Sequence, residues 1–233
     1  APRTQLADQF RVIKRPLIAN AMGKGASPIK RGNLIMVTSA ISGEGKSFTA
    51  INLAMSIAME LDNTVMLVDA DVPKPSLLKM LGLPAARGLL DVLTDPSVEL
   101  SQVLLRTNVD KLSILPSGTQ HPRATELLAS EAMVALLDEM ASRYPDRIII
   151  FDSPPLLMTT ESRALAGHMG QVVVVVRAES TVRSDVKHAL AAIESCPVKL
   201  MLLNQARAAV QDGYGYGYGY GYGYGYGYGS DGA

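Results

Sequence analysis

Apolar residues in this chain gather into short unbroken runs, separated by stretches in which they recur every three or four positions. Leu34 to Thr38, Thr64 to Val68, Leu112 to Leu115, Ile148 to Phe151, Val172 to Val176 and Leu200 to Leu203 are runs of the first kind. A continuous apolar run bounded by turn residues is the pattern of a parallel strand buried on both faces. The second kind includes Phe48 to Met59, with Ile51, Leu53, Ala54, Ile57 and Ala58 apolar, together with Thr125 to Arg143 and Thr181 to Ser195. Ahead of them, Gln5 to Met22 places Leu6, Phe10, Ile13, Leu17 and Ile18 at helical spacing, with Pro16 expected to kink or break the helix. Strands alternating with helices predict an α/β fold, a mostly parallel central sheet with helices on both faces. Ligands of such sheets collect beyond the carboxyl ends of the strands.

The stretch Leu34 to Thr49, LIMVTSAISGEGKSFT, adds chemistry to that frame. An apolar strand, a glycine-bearing loop closing on Gly45-Lys46-Ser47 and an immediate helix make the phosphate-binding loop of the P-loop NTPase fold. A triphosphate is wrapped by backbone N–H groups, which demands small residues in the loop, and the following helix turns its positive end toward the anion. Gly43 and Gly45 meet that demand, Lys46 supplies charge for the outer phosphates, and the Ser47 hydroxyl is placed for Mg2+. Ser42, Gly43, Glu44, Gly45, Lys46, Ser47 and Phe48 are therefore the predicted ATP-binding stretch. Ala40 stands where the usual pattern has its first glycine, a small departure in side-chain size.

Three acids fall at the ends of predicted strands, Asp69 and Asp71 after Thr64 to Val68 and Asp152 after Ile148 to Phe151. Alternate strand residues face the same side, so Asp69 and Asp71 can converge on one metal ion and on a nucleophile beside it. Two such carboxylates repel each other without a cation, so the pair either shares Mg2+ or lets one member act as a base. Asp152 reads as a Mg2+-holding strand-end aspartate, with capping of the Ser153-Pro154-Pro155 turn as the alternative.

Composition narrows the class. The chain has 233 residues, 48% of them hydrophobic, enough for one substantial core. Residues 1–32 form a leading helix and linker, 33–210 the P-loop domain, and 211–233 a tail. With 22 basic and 22 acidic residues, net charge demands no polyanionic partner, and no nucleic acid is expected. A single cysteine, Cys196, has no internal disulfide partner, which fits a reducing compartment. No apolar run approaches the roughly 20 residues that span a bilayer, and Ala1 to Thr4 lacks the apolar stretch of a secretion signal.

The tail is unusual. From Gly213 to Gly229 glycine and tyrosine alternate, placing Tyr214, Tyr216, Tyr218, Tyr220, Tyr222, Tyr224, Tyr226 and Tyr228 in one low-complexity stretch. Glycine at every second position makes a compact fold entropically costly, so disorder is expected. Composition alone leaves a flexible linker or an adhesive aromatic repeat open.

These residues resemble a known family, the bacterial tyrosine autokinases (BY-kinases) of polysaccharide synthesis and export, over essentially the whole chain. The resemblance rests on the loop Ala40 to Ser47, VDAD at Val68 to Asp71, IIIFDSPP at Ile148 to Pro155, GLLDVL at Gly88 to Leu93, LPSG at Leu115 to Gly118 and TELLAS at Thr125 to Ser130. It implies transfer of the ATP γ-phosphoryl group, with Mg2+, to the tail tyrosines of a neighbouring copy. Asp69 would be the base, Ser47, Asp71 and Asp152 would hold the metal, and Asn204 and Arg177 are adenine-side candidates. The resemblance also implies an N-terminal helix whose acid and two basic residues dock on the neighbour, giving a ring of protomers. Asp8, Arg11 and Lys14 match that spacing, with Asp for the more usual Glu and Lys for the second Arg. Pro73, followed by Lys74, replaces the usual Arg after the DxD.

Implied partners are a membrane-embedded activator of polysaccharide chain length or export and a phosphotyrosine phosphatase, with the chain cytoplasmic at the inner face of the membrane. Two other classes stay open. A partitioning-type ATPase switch would carry a second lysine early in the loop, where this chain has Ile41 and Ser42, and a non-catalytic assembly module would not need Lys46, Ser47, Asp69 and Asp152.

Overall fold

The computed structural model describes residues 4–143 and 146–206; the tail tyrosines lie outside them. In chain order the elements are α1 (Gln5–Ala21), β1 (Leu34–Ser39), α2 (Lys46–Ala58), β2 (Thr64–Asp69), α3 (Leu77–Met80), α4 (Leu89–Thr94), α5 (Leu100–Val103), β3 (Leu105–Arg106), β4 (Leu112–Leu115), α6 (Ala124–Leu128), α7 (Glu131–Arg143), β5 (Arg147–Asp152), α8 (Glu161–Ala166), β6 (Gln171–Arg177), α9 (Arg183–Ala191) and β7 (Val198–Asn204). The seven strands form one sheet in the order β3-β4-β2-β5-β1-β6-β7. Only β3 runs antiparallel, against β4.

Why unbroken apolar runs make this sheet is visible in how each run divides. Ile35, Val37, Val65, Leu67, Ile148, Ile150, Val173 and Val175 pack on one face with Phe10 and Leu17 of α1 and Leu53 and Ile57 of α2. Their alternate neighbours Leu34, Met36, Met66, Val68, Ile149, Phe151, Val172 and Val174 pack on the other with Leu137 of α7, Leu165 of α8 and Ala189 of α9. A strand that buries both faces has no position left for a polar side chain until its end.

Several expectations change in detail. α1 continues through Pro16, because Phe10 and Leu17 anchor the turns on both sides of it to the core. The stretch from Thr125 to Arg143 divides into α6 and α7, with Ser130 between them accepting from the Met133 N–H at 3.2 Å. β7 is one edge of the sheet, opposite β3, and alternates in burial, leaving Met201 and Leu203 58% and 64% exposed. Lys14, placed by spacing among the docking residues, is 6% exposed, and its ammonium donates to the Ser56 carbonyl at 2.5 Å and pairs with Glu60 at 2.6 Å. It ties α1 to α2 within the chain, while Asp8 and Arg11 pair with each other at the surface. Among the described residues no helix is long and apolar enough to cross a membrane.

Two motifs that carry no obvious chemistry lock the loop after β4. The N–H groups of Leu89 and Leu90 donate to the carbonyls of Pro116 and Ser117 at 2.8 and 2.9 Å. Asp91 accepts from the N–H groups of Gly88 and Thr119 at 2.7 and 3.0 Å. Gly88 lies so close that a Cβ there would stand 2.0 Å from the Pro116 carbonyl oxygen. Gly88→Ala is therefore expected to cost about 1–3 kcal/mol of stability, the usual range for overpacking, read as a lowered urea midpoint. An unchanged midpoint would show that this clip is free to open.

Candidate nucleotide and acceptor site

The site lies where strand register puts it. Asp69, the last residue of β2, is the register partner of Asp152, the last residue of β5, and Asp152 in turn aligns with Val37 of β1. The loop that leaves β1 thus emerges beside both acids. Beyond Ser39 the chain crosses Gly43 and Gly45 at φ of 87° and 93° before α2 begins at Lys46. At Gly45 the left-handed backbone and the space both require glycine, since a Cβ would fall 2.1 Å from Asn204 Nδ2.

The loop is braced from behind. Glu44 is buried, and its carboxylate accepts from the Ile41 N–H at 2.8 Å, from the Arg177 N–H at 3.3 Å and from the Thr181 hydroxyl. Its carbonyl accepts from Asn204 Nδ2 at 2.9 Å. An acid inside a phosphate-binding loop would oppose the anion unless its charge were turned inward, and that mismatch is the sequence signal by which the brace could have been found. Arg177 and Asn204, the adenine-side candidates, thus meet at the loop's outer flank, Arg177 through its backbone with an exposed side chain. Ser42 is exposed at the loop's front, its hydroxyl 3.2 Å from Met158 Sδ, and Phe48 lies beside Asn204 in a cavity of about 960 Å3 between α1 and β7.

On the inner side Lys46 meets the acids. Its ammonium donates to Asp71 Oδ2 at 2.6 Å and stands 3.6 Å from Asp152 Oδ1. Burial would lower the Lys46 pKa, but the Asp152 and Asp71 charges outweigh it and hold the amine above its usual value. Asp69 and Asp71, expected to converge, diverge instead. The strand stops at Asp69, so the two carboxylates no longer share a face. Asp71 turns to Lys46, while Asp69 Oδ2 accepts from the Ser76 and Leu77 N–H groups at 3.1 and 3.0 Å. Ser76 also donates its hydroxyl to Ser47 Oγ at 3.2 Å, joining α3 to the phosphate loop. Ser76 itself makes no side-chain cap on α3, so Asp69, seven residues upstream, is the cap and local sequence carried no signal for it.

Two carboxylates remain poor in partners. Asp69 Oδ1 and both oxygens of Asp152 are buried without a hydrogen bond. Burial pushes the Asp69 carboxyl up to about 7 against the pull of the Leu77 N–H, with Asp152 and Asp71 adding to the rise. Burial likewise raises Asp152 to about 6 even with Lys46 nearby. Orphaned carboxylate oxygens beside a serine hydroxyl fit a hard divalent cation, which completes its shell with water and phosphate oxygens. Among the described residues no group of three or more acids, histidines or cysteines is arranged to hold a metal ion by itself.

With this geometry in view, the relatives of the chain are informative. An AAA domain family model matches residues 32–202. The chain is 32% identical over 200 residues to the tyrosine-protein kinase YwqD of Bacillus subtilis, a match that spans 86% of this chain and 80% of YwqD. It is 34% identical over 169 residues to the putative tyrosine-protein kinase EpsB of Ralstonia nicotianae, spanning 72% of this chain but 22% of that much longer protein. Among solved structures it superposes on the chimerical protein CapA2B2 with a TM-score of 0.71 at 29% identity, over 86% of each chain. The kinase domain of the Escherichia coli tyrosine kinase ETK follows, with a TM-score of 0.69 at 25% identity, over 81% of this chain and 73% of that one. At 23% identity, cobyrinic acid a,c-diamide synthase from Mycobacterium smegmatis, solved with an ATP analog and magnesium, shares the fold with a TM-score of 0.61, over 73% of each chain. On the length matched by the family model, the identity to YwqD over most of both chains and the fold shared with the ETK kinase domain, the chain belongs to the bacterial tyrosine-protein kinases built on an AAA domain.

Proposed function

We propose that the chain is an ATP- and Mg2+-dependent autokinase that phosphorylates the Gly-Tyr tail of a neighbouring copy. The observation that carries this reading is Asp69, a buried carboxylate with one oxygen held by two N–H groups and the other without a partner, raised to about 7. A base near neutrality is suited to take a phenolic proton. In the transfer, the tyrosine O–H proton passes to Asp69, the phenolic oxygen bonds to the γ-phosphorus, and the bond from phosphorus to the departing oxygen breaks with its electron pair leaving on ADP. Lys46, released from Asp71, would stabilise charge on the phosphates. Ser47 and Asp152, supported by Asp71, would hold Mg2+, which supplies charge neutralisation between the outer phosphates.

The 17 residues of the Gly-Tyr stretch extend at most about 60 Å at roughly 3.3–3.6 Å per residue, so a tail reaches a neighbour only if that neighbour is docked. Asp8 and Arg11 on the outer face of α1 are the proposed dock, Lys14 being engaged within the chain. Head-to-tail contacts that close give a ring. Each added phosphate brings about −1.5 to −2 of charge and should loosen it. A membrane-embedded activator of polysaccharide export, counteracted by a phosphatase, is the proposed setting at the inner face of the membrane. The length of EpsB beyond the matched region and the chimeric nature of CapA2B2 support a further polypeptide segment working beside the kinase domain.

Lys46→Met is expected to abolish phosphotyrosine formation while the domain stays folded; phosphotyrosine retained on a blot would end the assignment. Asp69→Asn should remove transfer and leave nucleotide affinity within about threefold, whereas Asp152→Asn should weaken Mg2+-nucleotide binding about tenfold or more. Fluorescent-nucleotide titration separates the two, and the reverse pattern would exchange their roles. Asp152 also predicts a pH effect. Raised from 3.8 to about 6, it binds its proton more tightly in the folded chain, so its contribution is full below pH 4 and is lost as pH rises through 6. Asp152→Asn cannot titrate, so its stability relative to wild type should rise between pH 4 and 7.5 by on the order of 2 kcal/mol, in urea melts without metal or nucleotide. In the Lys46→Met background, light scattering should show an oligomer that Arg11→Ala reduces to monomer; an intact oligomer would reject the dock.

A further inference from the structure

β7 pairs with β6 on one side and, among the described residues, with no strand on the other. Its pairing with β6 runs unbroken from Val198 to Asn204, and it contains neither proline nor glycine. An edge of that length leaves a row of N–H and C=O groups open to a further strand. Leu200 and Leu202 face the side of the sheet that carries α1, and between that helix and the strand lies the cavity of about 960 Å3. None of the residues lining it is charged, and two of those on α1, Leu6 and Val12, are 43% and 69% exposed.

From this arrangement we infer that the trough between α1 and β7 holds the Gly-Tyr tail of the same chain, laid as an extra strand along β7 with its rings on the α1 side. The occupant follows from where the described chain ends. Asn204, Gln205 and Ala206 themselves line the trough, so the tail starts at its mouth. Seven residues, 207–213, precede Tyr214 and reach at most about 25 Å, roughly the length of β7, so the chain can turn back and run antiparallel to that strand. A tether this short gives an effective concentration in the millimolar range, which favours a chain's own tail over a neighbour's.

Strand geometry makes the repeat suit this surface. Side chains alternate along an extended strand, so every ring projects from one face and every glycine from the other. The uncharged ring face matches an uncharged, largely apolar trough, and the seven residues of β7 have room for three or four rings. A shift by two residues restores the same match, so successive tyrosine triplets fit equally. Asp69, Asp71 and Asp152 are absent from the trough's lining, so a ring held there is parked away from the acids. Release, though not docking, rests on the autokinase reading above. A phosphate on such a ring sets about −1.5 to −2 of charge against apolar walls, so a phosphorylated tail leaves the trough and stays out.

The tail is its own reporter, since it carries eight of the nine tyrosines and the chain has no tryptophan. In the phosphatase-treated full chain without ATP, about a third of the tyrosine fluorescence, roughly three rings, should resist acrylamide quenching, and dilution of the protein about a hundredfold should not change that. Leu6→Glu combined with Val12→Glu, both at exposed positions, should abolish the protection and leave the urea midpoint by circular dichroism unchanged. Full quenching in wild type, or protection that survives in the double variant, would overturn the docking. Protection lost on dilution would give the trough to a neighbour's tail and overturn the assignment to the same chain. After treatment with Mg2+-ATP and confirmation of phosphotyrosine on a blot, hydrogen exchange across residues 199–203 should accelerate about tenfold or more. Unchanged exchange would overturn release. No phosphotyrosine from wild type would overturn the kinase reading and release together, and docking would still be decided by the quenching measured without ATP.

Discussion

Everything at this site depends on how little positive charge the fold brings to three carboxylates. Asp69, Asp71 and Asp152 come together because parallel strands in register end at one level, and among the described residues Lys46 is the only cation within 4 Å of any of them. One ammonium cannot balance three buried carboxylates, and burial, with the neighbouring carboxylates adding to it, raises two of the acids to about 7 and about 6. The protein's own groups at this site are thus short of positive charge and rich in unsatisfied oxygen. A divalent cation satisfies both at once, and a triphosphate arriving with it gives Lys46 a new partner.

The fold was legible in outline because burial on both faces forbids polar residues along a strand, and the unbroken runs in the sequence are that prohibition written out. Runs beginning near Leu34, Thr64, Leu112, Ile148, Val172 and Leu200 all became strands, most one or two residues longer than the apolar core suggested. What periodicity could not disclose was neighbourhood. β7 carries an apolar run and yet lies at an edge with Met201 and Leu203 exposed, since a run records hydrophobicity and not which strand lies alongside. The two-residue β3 and the short helices α3 to α5 fall below the length at which any period can be counted.

At the site the sequence disclosed positions and missed connections. The placement of Lys46, Ser47, Asp69, Asp71 and Asp152 beyond the carboxyl ends of the strands follows from the motifs alone. That Asp71 would take Lys46, and that Asp69 would turn to the start of α3, depended on the chain leaving β2 at Asp69 and no longer following strand geometry. The GLLDVL and LPSG motifs illustrate the same limit. Read as sequence they signal kinship, and only in space do they become one hydrogen-bonded clip that shapes the loop after β4.

The brace behind the phosphate loop decides what kind of change ligand binding can be. Glu44 holds Ile41, Arg177 and Thr181, Asn204 holds Glu44, and Gly45 has space for nothing larger than hydrogen beneath Asn204. A loop held at this many points already has the conformation that presents its N–H groups, so little ordering entropy is left to lose on binding. The mobile quantity is charge. Lys46 has a flexible stem and a choice of partners, so on the proposed reading the response of this site to a nucleotide would be the movement of one ammonium from carboxylate to phosphate, with the braced loop as its cradle.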